Sequence, residues 1–109
     1  MVHVLLAVSP EGLLSRFVAE GHAGKTARGD NIACAGVTTL LRTAGRICAA
    51  RGILSAGAAG EPGEMSLTVA PGADGEWLRG VTDFLLQGVK DLQREFPREI
   101  ALRVETTEV

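Results

Sequence analysis

His22 and Cys34 are the two residues of this sequence whose types and positions could support nucleophilic chemistry together. His22 begins a glycine-rich segment, and Cys34 lies in the first turn of a stretch whose apolar spacing predicts a helix. The aligned dipoles and unpaired amides of a helix N-terminus favour a thiolate, and a nearby imidazolium favours it further. The same amides can receive the oxyanion that forms when a thiolate attacks a carbonyl. A nucleophile, a base and oxyanion donors therefore lie within one short block of sequence.

The same pattern has a structural interpretation, because a cysteine early in a helix is more often structural than catalytic. Other motifs are weaker. Residues 19–26 match a loose form of the phosphate-binding loop. Nucleotide binding requires a helix directly after that loop, and the predicted helix begins later. His3, His22, Cys34 and Cys48 include no pair at metal-ligand spacing. We expect neither a metal nor another cofactor.

Composition and charge exclude several further classes. The 109 residues are 46% hydrophobic and 22% charged, which predicts one folded domain over residues 1–109. A net charge of -2 and 4% aromatic residues disfavour direct nucleic-acid binding. The apolar run at residues 4–8 is too short for a signal segment or a membrane span. We expect a cytoplasmic protein that binds neither nucleic acid nor membrane.

The elements that must position His22 and Cys34 follow from hydrophobic periodicity and turn residues. Strands are predicted at residues 2–8, 14–20, 53–59, 65–70 and 100–105. One helix begins at Asp30 or Asn31 and ends at Gly52, and a second begins at Asp74 and ends before Pro97. Residues 21–29 are predicted to form a loop. This order, ββαββαβ with short hairpins, predicts an α+β fold with an antiparallel or mixed five-stranded sheet and two helices on one face.

The two helices are predicted to pack through defined faces. The apolar face of the first comprises Ala33, Val37, Leu40, Leu41, Ala44, Ile47 and Cys48. Small residues on that helix predict close contact with its neighbours: Ala35, Gly36, Ala44, Gly45 and Ala49. The inward face of the second comprises Trp77, Leu78, Val81, Phe84, Leu85, Val89, Leu92 and Phe96. Cys34 and Cys48 on one helix would be about 21 Å apart, too far for a disulfide.

A block of eighteen residues resembles the signature of the ribosomal-processing cysteine proteases called Prp. Gly21, His22 and Ala23 match the Gly-His-Ala motif of that family. Residues 29–38 match its Gly-x-Asp-Ile-x-Cys-Ala-[Ala/Gly]-Val-Ser motif, with Cys34 at the cysteine. The chain length and the order of the predicted elements resemble the whole family domain.

The resemblance implies a cysteine endopeptidase that removes the N-terminal extension of the twenty-seventh large-subunit ribosomal protein before ribosome assembly. It implies that Cys34 is the nucleophile, that His22 is the base, that the protein is a homodimer and that no cofactor takes part. The supporting positions are Gly21, Asp30, Asn31, Ala35 and Thr38.

Two positions depart from the family motif. Thr38 replaces the family serine and keeps a hydroxyl. Asn31 replaces the family aspartate, and Asp30 stands one position earlier. An asparagine caps a helix nearly as well as an aspartate, but it cannot stabilise an imidazolium by charge. Asn31 therefore keeps an alternative open, a non-catalytic ribosome-associated binding module of the same fold.

Overall fold

The computed structural model describes residues 1–21, 32–59, 64–70 and 75–107. Within them the elements follow the predicted order ββαββαβ. They are β1 (Val2–Val8), β2 (Leu14–Glu20), α1 (Ile32–Ala50), β3 (Leu54–Ala59), β4 (Glu64–Val69), α2 (Gly75–Glu95) and β5 (Ile100–Thr106). The α+β prediction is confirmed.

The five strands form one mixed sheet in the order β3-β4-β2-β1-β5. β1 and β2 pair antiparallel, and so do β3 and β4, as the predicted hairpins require. β2 also pairs antiparallel with β4, which joins the two hairpins into one sheet. β5 lies parallel to β1 at the far edge. A parallel neighbour needs a crossover connection, and α2 supplies it by carrying the chain over the sheet from β4 to β5.

The hydrophobic core lies between one face of this sheet and the two helices. Alternate residues of the strands point into it, because successive side chains of a strand face opposite sides. The largest fully buried side chains are Phe17, Leu6, Ile100, Val4, Val37, Val89 and Cys48. On the opposite face of the sheet, His3 and Arg16 are exposed. Both helices therefore cover the same face, as predicted.

The helices pack closely through glycines. A Cβ atom added to Gly36 would lie 2.9 Å from Cδ2 of Leu92, and one added to Gly88 would lie 3.1 Å from Cδ1 of Leu40. Each glycine costs a helix about 1 kcal/mol relative to alanine, and the close interhelical contact offsets that cost. The contact predicted for Gly36 is confirmed. The two contacts also show that the helices run antiparallel, so the start of α1 lies near the end of α2.

Two helix positions differ from the prediction. Phe84 was expected to face the core, but it is 68% exposed, and Ile47 is 38% exposed. The buried residues of α2 are Leu78, Thr82, Leu85 and Val89. Because one residue turns a helix by about 100°, Phe84 lies well to the side of this stripe, next to Leu85 but facing away from the sheet. Apolar spacing alone did not separate the face toward the sheet from the outer face.

Thr82 is a buried polar residue on α2 that fastens the helix to the sheet. Its hydroxyl donates to the carbonyl of Leu78 at 2.7 Å and accepts from the amide of Leu14 at 2.8 Å. Both hydroxyl functions are therefore satisfied in the core, which removes the cost of burying them.

The element boundaries agree with prediction to within a residue or so. β3 begins at Leu54 instead of Ile53, and β4 spans Glu64–Val69 instead of residues 65–70. Gly52 has a left-handed φ of 70° just after α1, as expected for a helix-ending glycine. The predicted helix caps Asp30, Asn31 and Asp74 lie outside the described residues. Neither helix in the described part of the chain is long and apolar enough to cross a membrane.

Candidate functional site

Cys34 is the third residue of α1, so the first-turn position predicted from the sequence is confirmed. Its side chain is partly buried, that of Ala35 is exposed, and that of Thr38 is partly buried. Cys34 and Thr38 are four residues apart and therefore share one face of the helix. The first turn carries no acidic side chain among the residues of α1, so nothing within the helix itself opposes a negative charge at its start.

The shared face of Cys34 and Thr38 borders a cavity of about 190 Å³ between α1 and the sheet. The described residues around the cavity are Val2, Ala19, Gly21, Cys34, Val37, Thr38, Leu41 and Met65. Ala19 of β2 and Met65 of β4 are directly paired in the sheet and lie beneath α1. Most of the wall is apolar, with the thiol and the threonine hydroxyl as its side-chain polar groups. The cavity therefore places the sulfur of Cys34 beside a mainly hydrophobic recess.

Gly21 brings the end of β2 to the same cavity. Its φ is 93°, in the left-handed region that L side chains rarely adopt. A Cβ atom here would lie 2.5 Å from the backbone oxygen of Met1, closer than real Cβ contacts. Only glycine fits this position without a shift of the N-terminal strand. Gly21 therefore lies at the cavity that Cys34 lines, and the residue after it in the sequence is His22.

The remaining site residues predicted from the sequence are His22, Asp30 and Asn31, and they lie outside the described residues. The structure thus brings together Cys34, Gly21 and Thr38, whereas Ala35 lies on the exposed side of the same turn.

The second cysteine differs from the first in its surroundings. Cys48 is fully buried near the other end of α1, and burial raises the pKa of its thiol above the ordinary value of 9.0. Neither cysteine is in a disulfide, as predicted. His3 is exposed on β1. Across the described ranges no group of three or more His, Cys, Asp or Glu side chains is placed to hold a metal ion.

Met65 and Ala19 are candidate site residues that the sequence did not single out. Each sits in an ordinary strand pattern, and Met65 is separated from Cys34 by more than thirty positions in the chain. Only the pairing of β2 with β4 places these two residues under the start of α1. No local signal marks such a position, because strand pairing is a long-range property.

Solved structures of other proteins share this fold. Prp from S. aureus, described as an essential ribosomal processing protease and solved with a covalently linked product peptide, aligns with a TM-score of 0.81 at 18% identity. That alignment covers 96% of this chain and 100% of the other. A Streptococcus mutans protein aligns with a TM-score of 0.78 at 20% identity, covering 98% of this chain and 96% of its own. At such identities the likeness shows the fold alone.

S. aureus Prp has also been solved with a substrate peptide, and that structure aligns with a TM-score of 0.78 at 17% identity over 96% of this chain and all of the other. No curated protein matches the chain significantly in sequence.

The family itself is shown by sequence. The family model of cysteine protease Prp matches residues 1–101, which is nearly the whole chain. The chain belongs to the Prp cysteine protease family. The resemblance that the block around His22 and Cys34 carries is therefore confirmed at the level of the family.

Proposed function

We propose that this protein is a cysteine endopeptidase that removes the N-terminal extension of the twenty-seventh large-subunit ribosomal protein before ribosome assembly. The observation that carries the proposal is the shared cavity of Cys34 and Gly21, in a chain of the Prp family. The proposal is supported by Cys34 in the first turn of α1 and by Gly21, the residue before His22 in the sequence, which both line that cavity. A cysteine nucleophile and a histidine base need this arrangement.

In the proposed mechanism the sulfur of Cys34 attacks the scissile carbonyl carbon, and its thiol proton passes to His22. The start of α1 stabilises the thiolate and the oxyanion through its aligned peptide dipoles. His22 then protonates the leaving amine as the peptide bond breaks, which leaves a thioester on Cys34. Water, deprotonated by His22, hydrolyses the thioester and restores the thiol. No metal or organic cofactor takes part in these steps.

The cavity beside Cys34 favours an apolar substrate residue next to the scissile bond. A dry cavity of about 150 Å³ lined by aliphatic and aromatic side chains is large enough to hold benzene. The recess of about 190 Å³ lined by Val2, Ala19, Val37, Leu41 and Met65 can therefore receive a branched or aromatic side chain. Burying such a side chain contributes about 1.5–3 kcal/mol to binding.

The test is mass spectrometry of a peptide that spans the N-terminus of this ribosomal protein. The peptide is incubated with the wild-type protein, with Cys34→Ala and with His22→Ala. We expect a single cut made by the wild type and lost in both variants. Uncut peptide with every protein, in a sample shown by circular dichroism to be folded, would refute the proteolytic function.

The second candidate function is a non-catalytic ribosome-associated binding module, and the presence of Asn31 in place of the family aspartate favours it. The same experiment separates the two candidates when peptide binding is measured alongside cleavage. Binding without cleavage identifies the module, and restored cleavage in Asn31→Asp would assign the loss to the missing carboxylate.

We also propose that the protein acts in the cytoplasm as a homodimer that buries the outer face of its two helices. Phe84, Ile47 and Ile32 are exposed on this face by 68%, 38% and 64%. Phe84 and Ile47 border an apolar groove of about 580 Å³ between the helices. Contiguous exposed apolar side chains of this kind mark interaction surfaces.

Light scattering after size-exclusion chromatography tests the dimer. Phe84→Ser should yield a monomer, whereas Val104→Ser, which removes an exposed apolar side chain from β5, should leave the dimer intact. A wild-type monomer, or a Phe84→Ser dimer of unchanged stability, contradicts this interface.

A further inference from the structure

β3 is one of the two edge strands of the sheet, and its neighbour β4 contributes Met65 to the cavity beside Cys34. It pairs with β4 on one side, and among the described residues no strand lies beyond it on the other. An edge strand presents a row of backbone amides and carbonyls that can pair with another extended chain. β5 forms the opposite edge, next to β1.

The two edges differ in how they are protected. Natural edge strands carry charged side chains or proline that prevent pairing with other chains. β5 has Arg103 and Glu105, which are joined in an ion pair at 2.6 Å, and Arg103 is 76% exposed. The sequence of β3 is Leu-Ser-Ala-Gly-Ala-Ala, with neither a charge nor a proline. Its register shifts between Leu54 and Ala56, at the end of the strand away from the cavity, and Ser55 and Gly57 are exposed.

The C-terminal end of β3 lies at the same end of the sheet as the candidate site. Its last residue, Ala59, is paired with Met65, and Met65 is paired in turn with Ala19 of β2. Met65 and Ala19 line the cavity beside Cys34. A chain that follows the outer edge of β3 therefore arrives at the end of the sheet where the thiol lies.

The distance from that edge to the cavity is short. Neighbouring strands are about 4.8 Å apart, so an added strand would lie about 10 Å from β4 and about 14 Å from β2. An extended chain advances about 3.4 Å per residue, so about three or four residues would bridge the gap to the cavity wall formed by Met65 and Ala19.

We propose that the outer edge of β3 binds an extended segment of the substrate peptide by strand addition, three or four residues from the bond that Cys34 attacks. The inference rests on the proposed function and deepens it. Main-chain hydrogen bonds supply the affinity in this mode of recognition, and they depend little on the side chains of the peptide. A strand of small residues sets the register only weakly, so the side chain held beside Cys34 would decide which bond is cut.

The test is a scan of N-methylated substrate peptides, each with one backbone amide blocked. Alternate residues of a strand point their amides toward the same neighbour. Beyond the third or fourth residue from the scissile bond, on one side of it, methylation at every second position should raise KM roughly threefold to tenfold, the effect of one hydrogen bond. Methylation at the positions between them should leave KM unchanged, and kcat should stay constant throughout.

The same peptides are measured for binding to Cys34→Ala by fluorescence anisotropy, which separates this inference from the proposed proteolysis. If binding alternates with the methylated position but the wild type cleaves no peptide, the result supports binding at the edge of β3 and refutes the proteolytic function. Cleavage without alternation, or no binding at all, overturns the edge proposal.

A protein variant tests the same surface from the other side. Ser55→Lys places a charge on β3 of the kind that protects ordinary edges, and it should weaken peptide binding. Val104→Lys makes the matched change on β5 and should not. If Ser55→Lys instead converts a dimer into a monomer and leaves peptide binding intact, the edge pairs with a second copy of the chain and the proposal is wrong.

Discussion

Replacing Gly21 by alanine tests how the end of β2 is held beside the candidate nucleophile. The glycine has a φ of 93°, and a Cβ atom would lie 2.5 Å from the backbone oxygen of Met1. A non-glycine residue in the left-handed region costs about 1–2 kcal/mol. Forcing an extra carbon into an occupied space costs about another 1–3 kcal/mol. We therefore expect Gly21→Ala to lower the free energy of unfolding by about 2–5 kcal/mol, nearest the lower limit if the N-terminus moves away.

Gly12→Ala is the matched control. Gly12 also has a left-handed φ, 83°, but a Cβ atom there would meet nothing within 4 Å. It should therefore cost only the backbone part, about 1–2 kcal/mol. Gly12 lies in the turn between β1 and β2, at the end of the sheet opposite Gly21, so cleavage by the folded variant should not change.

Urea denaturation at 25 °C, followed by the fluorescence of Trp77, measures both variants. Trp77 is the single tryptophan of the chain, and Arg51 lies 4.3 Å from its ring, so its emission reports the loss of tertiary structure. The value of kcat/KM for the peptide is measured without urea. Equal losses of stability in the two variants would show that contact with Met1 contributes nothing. An unchanged kcat/KM in Gly21→Ala would show that this glycine does not position the neighbouring histidine.

Two further predictions follow from buried groups. Thr82→Val should lower the free energy of unfolding by about 1–3 kcal/mol, because the amide of Leu14 loses its acceptor in the core. Thr39→Val is the control: it removes a hydroxyl that donates to the carbonyl four residues earlier in the helix, as the hydroxyl of Thr82 does, but on an exposed face. It should lower the free energy of unfolding by less than about 0.5 kcal/mol. A urea titration that gives equal losses would contradict this account. At pH 7 iodoacetamide should modify Cys34 faster than Cys48, since burial raises the pKa of Cys48 and keeps that thiol protonated. Peptide mapping of the native protein checks the order of modification, and equally slow labelling of both thiols would contradict an activated Cys34.

The raised pKa of Cys48 also makes the free energy of unfolding depend on pH. The folded state favours the protonated form of the Cys48 side chain. The contribution of this group to the free energy of unfolding is therefore fully present below the ordinary pKa of 9.0. It is lost as the pH rises from there through the raised pKa of the folded state. Cys48 is therefore a buried thiol of the core, whereas Cys34 lines the cavity at the other end of the same helix.

Local patterns in the sequence were sufficient for most of the fold. Alternation of apolar residues predicted β1 and β2 with their observed bounds, and turn residues placed both hairpins. The end of α1 near Gly52 followed from the left-handed conformation that glycine adopts at little cost. These features depend on neighbours within a few positions along the chain. Residue size at Gly36 predicted a close contact, but it did not predict that Leu92 of α2 makes that contact.

The outer face of α2 was harder to predict. Phe84 continues the apolar spacing of the helix, yet it is exposed, while Thr82 is buried because its hydroxyl finds two partners in the core. Helical periodicity records which residues share a side, but it does not record how many neighbours the helix has or where they lie.

The candidate site likewise has one part that local sequence predicts and another that depends on long-range packing. The sequence by itself determined that Cys34 stands in the first turn of a helix and that a glycine-led histidine segment precedes it, because motifs and helix starts are written in consecutive residues. Only the tertiary structure decided that Gly21, Met65 and Ala19 meet Cys34 around one cavity. It also decided that β5 lies parallel to β1 and that β3 is left as an edge. Strand pairing joins residues that are far apart in the chain, and its free energy comes from the packing of the whole sheet against both helices.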